Sequence, residues 1–340
     1  MEKIRLGRTN LMVSRSGFGC IPIQRLSFDD AKALLRRAYD GGINFFDTAR
    51  GYSDSEEKIG RALSDVRHNL IIATKSHGKT AEKLLQEMET SLKNLKTDYI
   101  DIYQLHNPPF FPDESHEIYQ AVLQAKKEGK IRFISISNHR LELAKQMAVS
   151  GLYDTIQFPL SALSSQEEFE LVKLCREHDI GVIAMKAMSG GLITDATATF
   201  ALLRSFGNIA PIWGMQHMWE LEQFLRLEAE PPQLTEALLK NIEEDKKALG
   251  GNFCRACGYC MPTCPAKINV PIAARMSLLL RRAVVKVQVA PEQRAVMEKI
   301  KDCVDCGACK THCPYGLDTP ALLRSEYELY QKFLRENNLA

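Results

Sequence analysis

The chain has 340 residues, 45% apolar and 25% charged, the balance of an ordinary soluble globular protein long enough for one large domain and a smaller one. Its formal charge of +2 gives no electrostatic case for binding a polyanion, so no nucleic-acid partner is expected. The opening MEKIRLGRTN lacks the apolar core of a signal peptide, and no apolar run approaches the roughly 18 residues of a membrane span, so a cytoplasmic protein with no membrane partner is expected.

The first residues, IRLGRTNLMVS, alternate and carry turn residues (Gly7, Thr9, Asn10), which predicts a small hairpin. Two periodicities then take turns. Short β-rich runs fall at 16–22, 44–49, 69–76, 99–106, 131–137, 154–160, 181–187 and 209–215. Helical patterns occupy 27–40, 55–66, 80–96, 114–129, 140–150, 165–179, 194–207 and 217–229. Ser27, Ser55, Thr80 and Ser165 are read as helix N-caps, and Gly41, Gly129 and Gly151 as helix stops. Eight strand–helix pairs predict a (β/α)8 barrel with the hairpin capping its N-terminal end. A doubly wound open sheet shares the alternation, but no GxGxxG follows any strand. Charged KNIEEDKKALGG then marks a boundary near 240–253, and the rest is helical in pattern around two cysteine runs.

Barrel active sites gather at the C-terminal ends of the strands, so what each strand ends on is informative. The second ends on Asp47, with Tyr52 in the loop beyond; the third ends on Lys75 and the fourth on His106. A tyrosine hydroxyl, with a pKa of about 10, needs its anion stabilised before it can donate a proton at neutral pH. A lysine ammonium beside it supplies that, an aspartate holds the lysine charged, and a histidine orients a carbonyl oxygen. Singly, Asp47 reads as a helix cap, Lys75 as a surface lysine and His106 as a core imidazole. Four such residues at four expected strand ends point instead to proton transfer. Cys20 reads as a small apolar residue and Cys175 as helix core.

Through LGRTNLMVS, GFGC, NFFDTARGYSDSE, IIATK, DYIDIYQLH, ISISN and QFPLS, residues 3 to 225 resemble the aldo-keto reductase superfamily. The resemblance implies an NAD(P)H-dependent carbonyl reductase with the tetrad Asp47, Tyr52, Lys75 and His106. It also implies that Ser137, Asn138 and Gln157 hold the nicotinamide carboxamide, with Gly19 and Cys20 where the first strand meets the cofactor. Met185 occupies the position where the family stacks an aromatic ring, and a thioether can contact a ring face. Nucleotide contacts are implied along GMQHMWELEQF, at Gly214, Gln216 and Gln223. That stretch has no lysine or arginine for a 2′-phosphate, so NADH is as open as NADPH.

Eight of the ten cysteines lie in CRACGYCMPTCP (254–265) and CVDCGACKTHCP (303–314). Each run offers three ligands at two-residue gaps, a fourth three residues on, and a proline. This resembles the bacterial ferredoxin run, whose fourth cysteine serves the other cluster. Applied here, one 4Fe–4S cluster takes Cys254, Cys257, Cys260 and Cys313, and the other Cys303, Cys306, Cys309 and Cys264. Two all-cysteine zinc sites are the rival. The spacer resembles helical dicluster domains, and the RRAVVK within it (281–286) reads as a solvated basic face.

The expectation is therefore an α/β chain: a (β/α)8 TIM barrel over 1–245 and a mostly helical dicluster domain over 246–340. Its function is expected to be reduction of a small carbonyl, or oxidation of an alcohol, with clusters relaying electrons to a ferredoxin-like or flavoprotein partner. The alternatives are clusters that only stabilise their domain, or an electron-transfer subunit with a non-catalytic barrel. Nicotinamide moves two electrons and a cluster one; a flavin bridges that mismatch elsewhere, and no flavin motif occurs in these residues.

Overall fold

The computed structural model describes residues 1–193, 195–249, 253–282 and 285–339. The chain divides into two compact units, one of residues 1–187 and 199–234, the other of 188–198 and 235–340.

In the first unit, β1 (Lys3–Arg5) and β2 (Met12–Ser14) form an antiparallel hairpin. Eight parallel strands then close a barrel: β3 (Gly17–Gly19), β4 (Phe45–Asp47), β5 (Ile71–Ser76), β6 (Ile100–His106), β7 (Ile131–Ser137), β8 (Thr155–Pro159), β9 (Gly181–Met185) and β10 (Ile209–Gly214). The closing pair is β10 with β3, where Gly214 sits opposite Gly19. Closure, which alternation alone left open, excludes the doubly wound sheet.

The hairpin plugs the end where the strands begin. Ile4, Leu6 and Val13 share one buried cluster with Phe45, Ile71, Ala73, Ile102, Ile183 and Ile212. Each leucine, isoleucine, valine or phenylalanine side chain so buried contributes about 1.5–3 kcal/mol. Gly7 is obligatory in the turn: at φ 53° an added Cβ would lie 2.1 Å from the Gly181 nitrogen. Because alternate strand residues face the same side, those that fill the floor put Asp47, Lys75, Gln104 and His106 on the inner face above it.

Eight helices follow the strands: α1 (Phe28–Asp40), α2 (Ser55–Leu63), α3 (Ala81–Leu95), α4 (Glu117–Lys127), α5 (Leu141–Val149), α6 (Gln166–Glu177), α7 (Ala196–Arg204) and α8 (Met218–Ala229). Ser27 and Thr80 accept the backbone N–H bonds expected of caps, and Ser165 forms a full capping box with Glu168. Ser55 does not cap. It is the first residue of α2, and its hydroxyl donates to the Cys20 carbonyl at 3.0 Å while accepting from Thr48 at 2.9 Å. Gly41 follows α1 in right-handed geometry, and Gly42, at φ 95°, makes the turn instead.

The second unit contains helices only among its described elements beyond 235: α9 (Glu236–Leu249), α10 (Val270–Ala273), α11 (Met276–Arg282), α12 (Val285–Gln288), α13 (Pro291–Glu298), α14 (Ala308–Thr311) and α15 (Thr319–Glu336). Its core packs Ile268, Val270, Met276, Met297, Leu323 and Tyr330 around Cys254, Cys260 and Cys309. The charged boundary stretch and the basic RRAVVK fall partly on 250–252 and 283–284, outside the described residues. Among the described residues no helix is long and apolar enough to cross a membrane.

The cysteine runs are two copies of one conformation, each cysteine from 254 to 264 recurring 49 positions later. Left-handed backbone occurs at Ala256 and Gly258 in the first copy and at Asp305 and Gly307 in the second. It returns at Lys267 and Gly316, and then at matched points Pro271 and Pro320 open the first turns of α10 and α15.

Candidate active site and cysteine cavities

Strand register brings the tetrad positions to one rim. Asp47 pairs laterally with Gly19 and Ala73, Lys75 with Gln104, and His106 with Ser137, which in turn faces Gln157. The Lys75 ammonium donates to Asp47 Oδ2 at 2.5 Å and to the Thr48 carbonyl at 2.6 Å. Asp47 also accepts from Gln104 Nε2 at 3.1 Å and from Gln157 Nε2 at 3.4 Å. Both members of the ion pair are essentially sealed from water, at 2% and 1% exposed. Burial alone would strip the lysine of its proton, but the Asp47 charge and hydrogen bond outweigh it, and the ammonium is held above the ordinary lysine range.

The half-buried Tyr52 leans on this pair, with Lys75 Nζ 5.1 Å from its ring centre. Burial pushes the Tyr52 hydroxyl above its usual value, and Lys75 pulls the other way by charge and hydrogen bond. The phenol is thus protonated at neutral pH, with a cation in place to stabilise its anion. The His106 ring meets Tyr52 edge-on, centres 6.0 Å apart. Burial first, then His77, Lys75 and His139, hold the His106 imidazole well below its ordinary value, so it is neutral. Its Nδ1 is buried and has no hydrogen-bond partner.

The residues expected to meet a nucleotide divide into two groups. Gly19, Cys20, Ser137, Asn138 and Gln157 are buried around the rim. Ser137 Oγ and Gln157 Oε1 are both buried without a partner, as groups reserved for a ligand would be. Asn138 is already engaged, donating to the Pro108 carbonyl at 3.0 Å and accepting from the Arg140 nitrogen at 2.7 Å. It braces the loop, with one N–H to spare. Met185 ends β9, half-buried, and Gly214 ends β10, exposed. Gln216 and Gln223 lie before and within α8. Glu220 Oε2 accepts from the backbone N–H groups of Gln216 at 2.6 Å and His217 at 2.8 Å. Cys175 is buried on α6, as expected.

Four residues of this rim escape the sequence reading. Gln104 holds Asp47 and could have been found, since it lies two residues before His106 on the same strand face. His77 stacks on His106, rings 3.7 Å apart and 13° from parallel, and its Nδ1 donates to the His106 carbonyl at 3.0 Å. Asn107, left-handed at φ 54°, follows His106 with a buried, unpartnered side-chain oxygen. With His77, His106 and Phe110 it lines a cavity of about 230 Å³. Arg25 reaches Gln216 Oε1 at 3.2 Å, bringing from another loop the cation that the stretch after β10 lacks.

In the second unit the cysteines sort by space, not by sequence. Cys254, Cys257, Cys260 and Cys313 line one cavity; Cys264, Cys303, Cys306 and Cys309 line another. Val270 borders both. This is the crossed arrangement of ferredoxin-type ligation. One zinc ion, with Zn–S about 2.3 Å, would draw its sulfurs to within about 3.8 Å of one another. Among the described residues no three cysteine, histidine or carboxylate side chains converge tightly enough to hold one metal ion. Four sulfurs around a wider space fit a cluster rather than a single ion. Backbone N–H groups of Ala256 and Ile268 donate to Cys254 Sγ and Cys264 Sγ, each at 3.4 Å, as sulfurs ligating a cluster accept.

Residues 16–231 match the model of the aldo/keto reductase family, and residues 253–318 that of the 4Fe–4S dicluster domain. The chain is 32% identical over 209 residues to the uncharacterized oxidoreductase YqkF of Bacillus subtilis, a match covering 57% of this chain and 67% of that one. It is 32% identical over 232 residues to the NADH-specific methylglyoxal reductase of Escherichia coli, covering 57% and 69%. About a third of each relative's length therefore lies outside the match. The aldo-keto reductase AKR11C1 from Bacillus halodurans superposes with a TM-score of 0.64 at 25% identity, over 72% of this chain and 96% of its own. A closed eight-stranded barrel with this rim, matched by the family model over most of its length, makes the chain a member of the aldo/keto reductase family whose sequence continues, after the barrel, into a 4Fe–4S dicluster domain.

Proposed function

We propose that the barrel reduces a small carbonyl compound, or oxidises the corresponding alcohol, with Tyr52 as the proton donor and acceptor. The observation that carries this is the sealed Lys75–Asp47 pair against Tyr52, which keeps a cation beside a phenol that burial keeps protonated. Lys75 stabilises the phenolate left after donation, Asp47 keeps Lys75 charged and in place, and neutral His106 orients the carbonyl oxygen. A bound nicotinamide supplies the hydride. Ser137 and Gln157, each with a buried unpartnered oxygen, would hold its carboxamide, with Met185 against the ring. Glu220 occupies the backbone N–H groups after β10 that a 2′-phosphate would otherwise take, which favours NADH over NADPH, although Arg25 stands nearby.

The eight cysteines are read as ligands of two 4Fe–4S clusters, which supply one-electron transfer to or from a ferredoxin-like or flavoprotein partner. Exposed Cys306 on one set, buried Cys254 and Cys260 on the other, and Val270 bordering both cavities support a path from the surface inward.

The test is Tyr52→Phe, which removes the hydroxyl and keeps the ring. Carbonyl reduction, assayed with both NADH and NADPH, should fall by at least about 10²-fold, while nucleotide binding, read by fluorescence quenching, is retained. Activity near wild type would remove Tyr52 from the role of proton donor.

A further inference from the structure

The two copies of the cysteine motif are each followed by an arginine, and the two arginines sit in opposite surroundings. Arg275 follows the first copy and Arg324 the second, at matched positions 49 apart. Each lies within electrostatic reach of the first cysteine of its own copy, Arg275 of Cys254 and Arg324 of Cys303, and Ala274, next to Arg275, is buried in one core with Cys254 and Cys260. Their surroundings are opposite. The Arg324 side chain is 55% exposed and pairs with Asp305 at 3.0 Å. Arg275 is only 7% exposed. Its guanidinium donates to the neutral carbonyl oxygens of Pro271 at 2.9 Å, Gly190 at 3.2 Å and Ser189 at 3.5 Å. No carboxylate pairs with it among the described residues, and Cys254 is the group in its surroundings whose ionised form would answer its charge.

A guanidinium keeps its charge when buried, and a buried charge needs an answering one. The cysteine set beside Arg275 supplies it when its thiolates hold a cluster. Reduction adds one negative charge to such a cluster, and a fixed cation in a low-dielectric setting stabilises the reduced form more than the oxidised one. Arg255 lines the cavity of the same set. It lies 4.5 Å from the Tyr315 ring centre, where the other copy has the apolar Val304.

We propose that Arg275 is the buried counter-charge of the cluster held by Cys254, Cys257, Cys260 and Cys313, and that it raises that cluster's reduction potential above the value burial alone would set. Among the described residues the other set, Cys264, Cys303, Cys306 and Cys309, has no buried cation of this kind, and Asp305 pairs with the exposed Arg324. This inference rests on reading the cysteines as ligands of two 4Fe–4S clusters. Burial of Cys254 and Cys260 opposes the effect, since low dielectric disfavours the added electron, and substitution at 275 separates the two because it leaves the burial in place. An electron from an external one-electron donor, arriving at exposed Cys306, then comes to rest on the Cys254 set.

The experiment is a potentiometric titration of the full-length protein, purified anaerobically and followed by electron paramagnetic resonance. Arg275→Gln should lower one midpoint by at least the equivalent of a tenfold change in the one-electron equilibrium, about 59 mV, and leave the other in place. Arg275→Lys should retain most of the wild-type value. Asp305→Asn, which keeps a side chain suited to the left-handed backbone and unmasks Arg324, should raise the second midpoint by a smaller amount. Should Arg275→Gln fail to take up iron, Asp305→Asn carries the test alone. Midpoints unmoved in Arg275→Gln, or in Asp305→Asn where only that variant loads, overturn the role of the arginines and leave the cluster reading intact. No iron–sulfur signal in the wild-type protein overturns both.

Discussion

The rim of the barrel and the cysteine cavities both hold reactive groups in place, with opposite materials. At the rim every restraint is supplied by the chain. Asp47 is fixed by Lys75, Gln104 and Gln157, and Lys75 also by the Thr48 carbonyl, all on the rungs of a closed sheet. Among its described residues the cysteine region has no strand. Two of its helices, α10 and α14, are four residues long, far below the dozen or so that a helix needs to persist alone. Its buried core includes Cys254, Cys260 and Cys309, with Cys264, Cys303 and Cys313 packed against it. A barrel whose buried ion pair is held by its own strands should fold unaided; a core built around cysteines should fold with what the cysteines hold.

Removing iron is the strongest test of that contrast. Chelation of the anaerobically purified full-length protein should open the region from 253 to 318 to proteolysis at least about tenfold faster, because binding energy at such a site is folding energy. The barrel's thermal transition should stay within about 2 °C, since a change below roughly 1 kcal/mol in a domain of this size moves it no further. Equal protease resistance with and without iron would mean that the cysteine region folds on its side chains alone. A large fall in the barrel transition would mean that the barrel is not self-sufficient.

Lys75→Met probes the other half of the contrast, by unmaking a restraint that the barrel supplies for itself. It leaves Asp47 buried without its partner, which costs about 3–5 kcal/mol for a buried ion pair. The sign of its pH dependence is diagnostic. Without Lys75, burial raises the folded-state pKa of Asp47, so the protonated acid is favoured and its contribution is present at low pH and lost as pH rises. The stability deficit, measured by urea unfolding, should therefore be larger at pH 8 than at pH 5. A deficit independent of pH would mean that Asp47 finds another partner or reaches water.

What the sequence makes legible follows from how local each signal is. Strand ends are local, so Asp47, Lys75 and His106 can be placed from alternation, and the spacing within each cysteine run is local as well. The crossing of Cys264 and Cys313 between the two cavities is not, and it was accessible only through resemblance to a known ligand pattern. Gln104 is legible by strand period, but a mid-strand glutamine carries no motif that would single it out. His77 and Arg25 could not be found, since they act across loops whose path depends on the whole barrel. Ser55 shows the converse. Its sequence position suits a cap, but the nearby Thr48 hydroxyl and Cys20 carbonyl take its side chain. Asn138 has the right place for a cofactor ligand, yet two of its bonds hold the loop that carries it.

The smallest expected effect is also the one that locates pH sensitivity in the barrel. Burial holds His106 and His139 well below the ordinary histidine value in the folded protein. A depressed folded pKa means that the unfolded chain binds more protons, so stability falls as pH drops below the unfolded value of about 6.5. Each histidine contributes at most about 1.4 kcal/mol per pH unit to that slope until its folded pKa is reached. The cysteine region's one histidine, His312, is exposed, so the slope should belong to the barrel transition. His106→Gln cannot take up a proton, and should reduce the fall in barrel melting temperature between pH 7 and pH 5.5 relative to wild type by roughly the share of one histidine. His77→Phe keeps an aromatic ring against His106 and removes the charge that helps depress it. It should leave a slope between the two, because His106 then titrates nearer its ordinary value. A His106→Gln protein with the wild-type slope would mean that the imidazole is already charged in the folded state, and a charged His106 could not be the neutral donor that the proposed reaction needs.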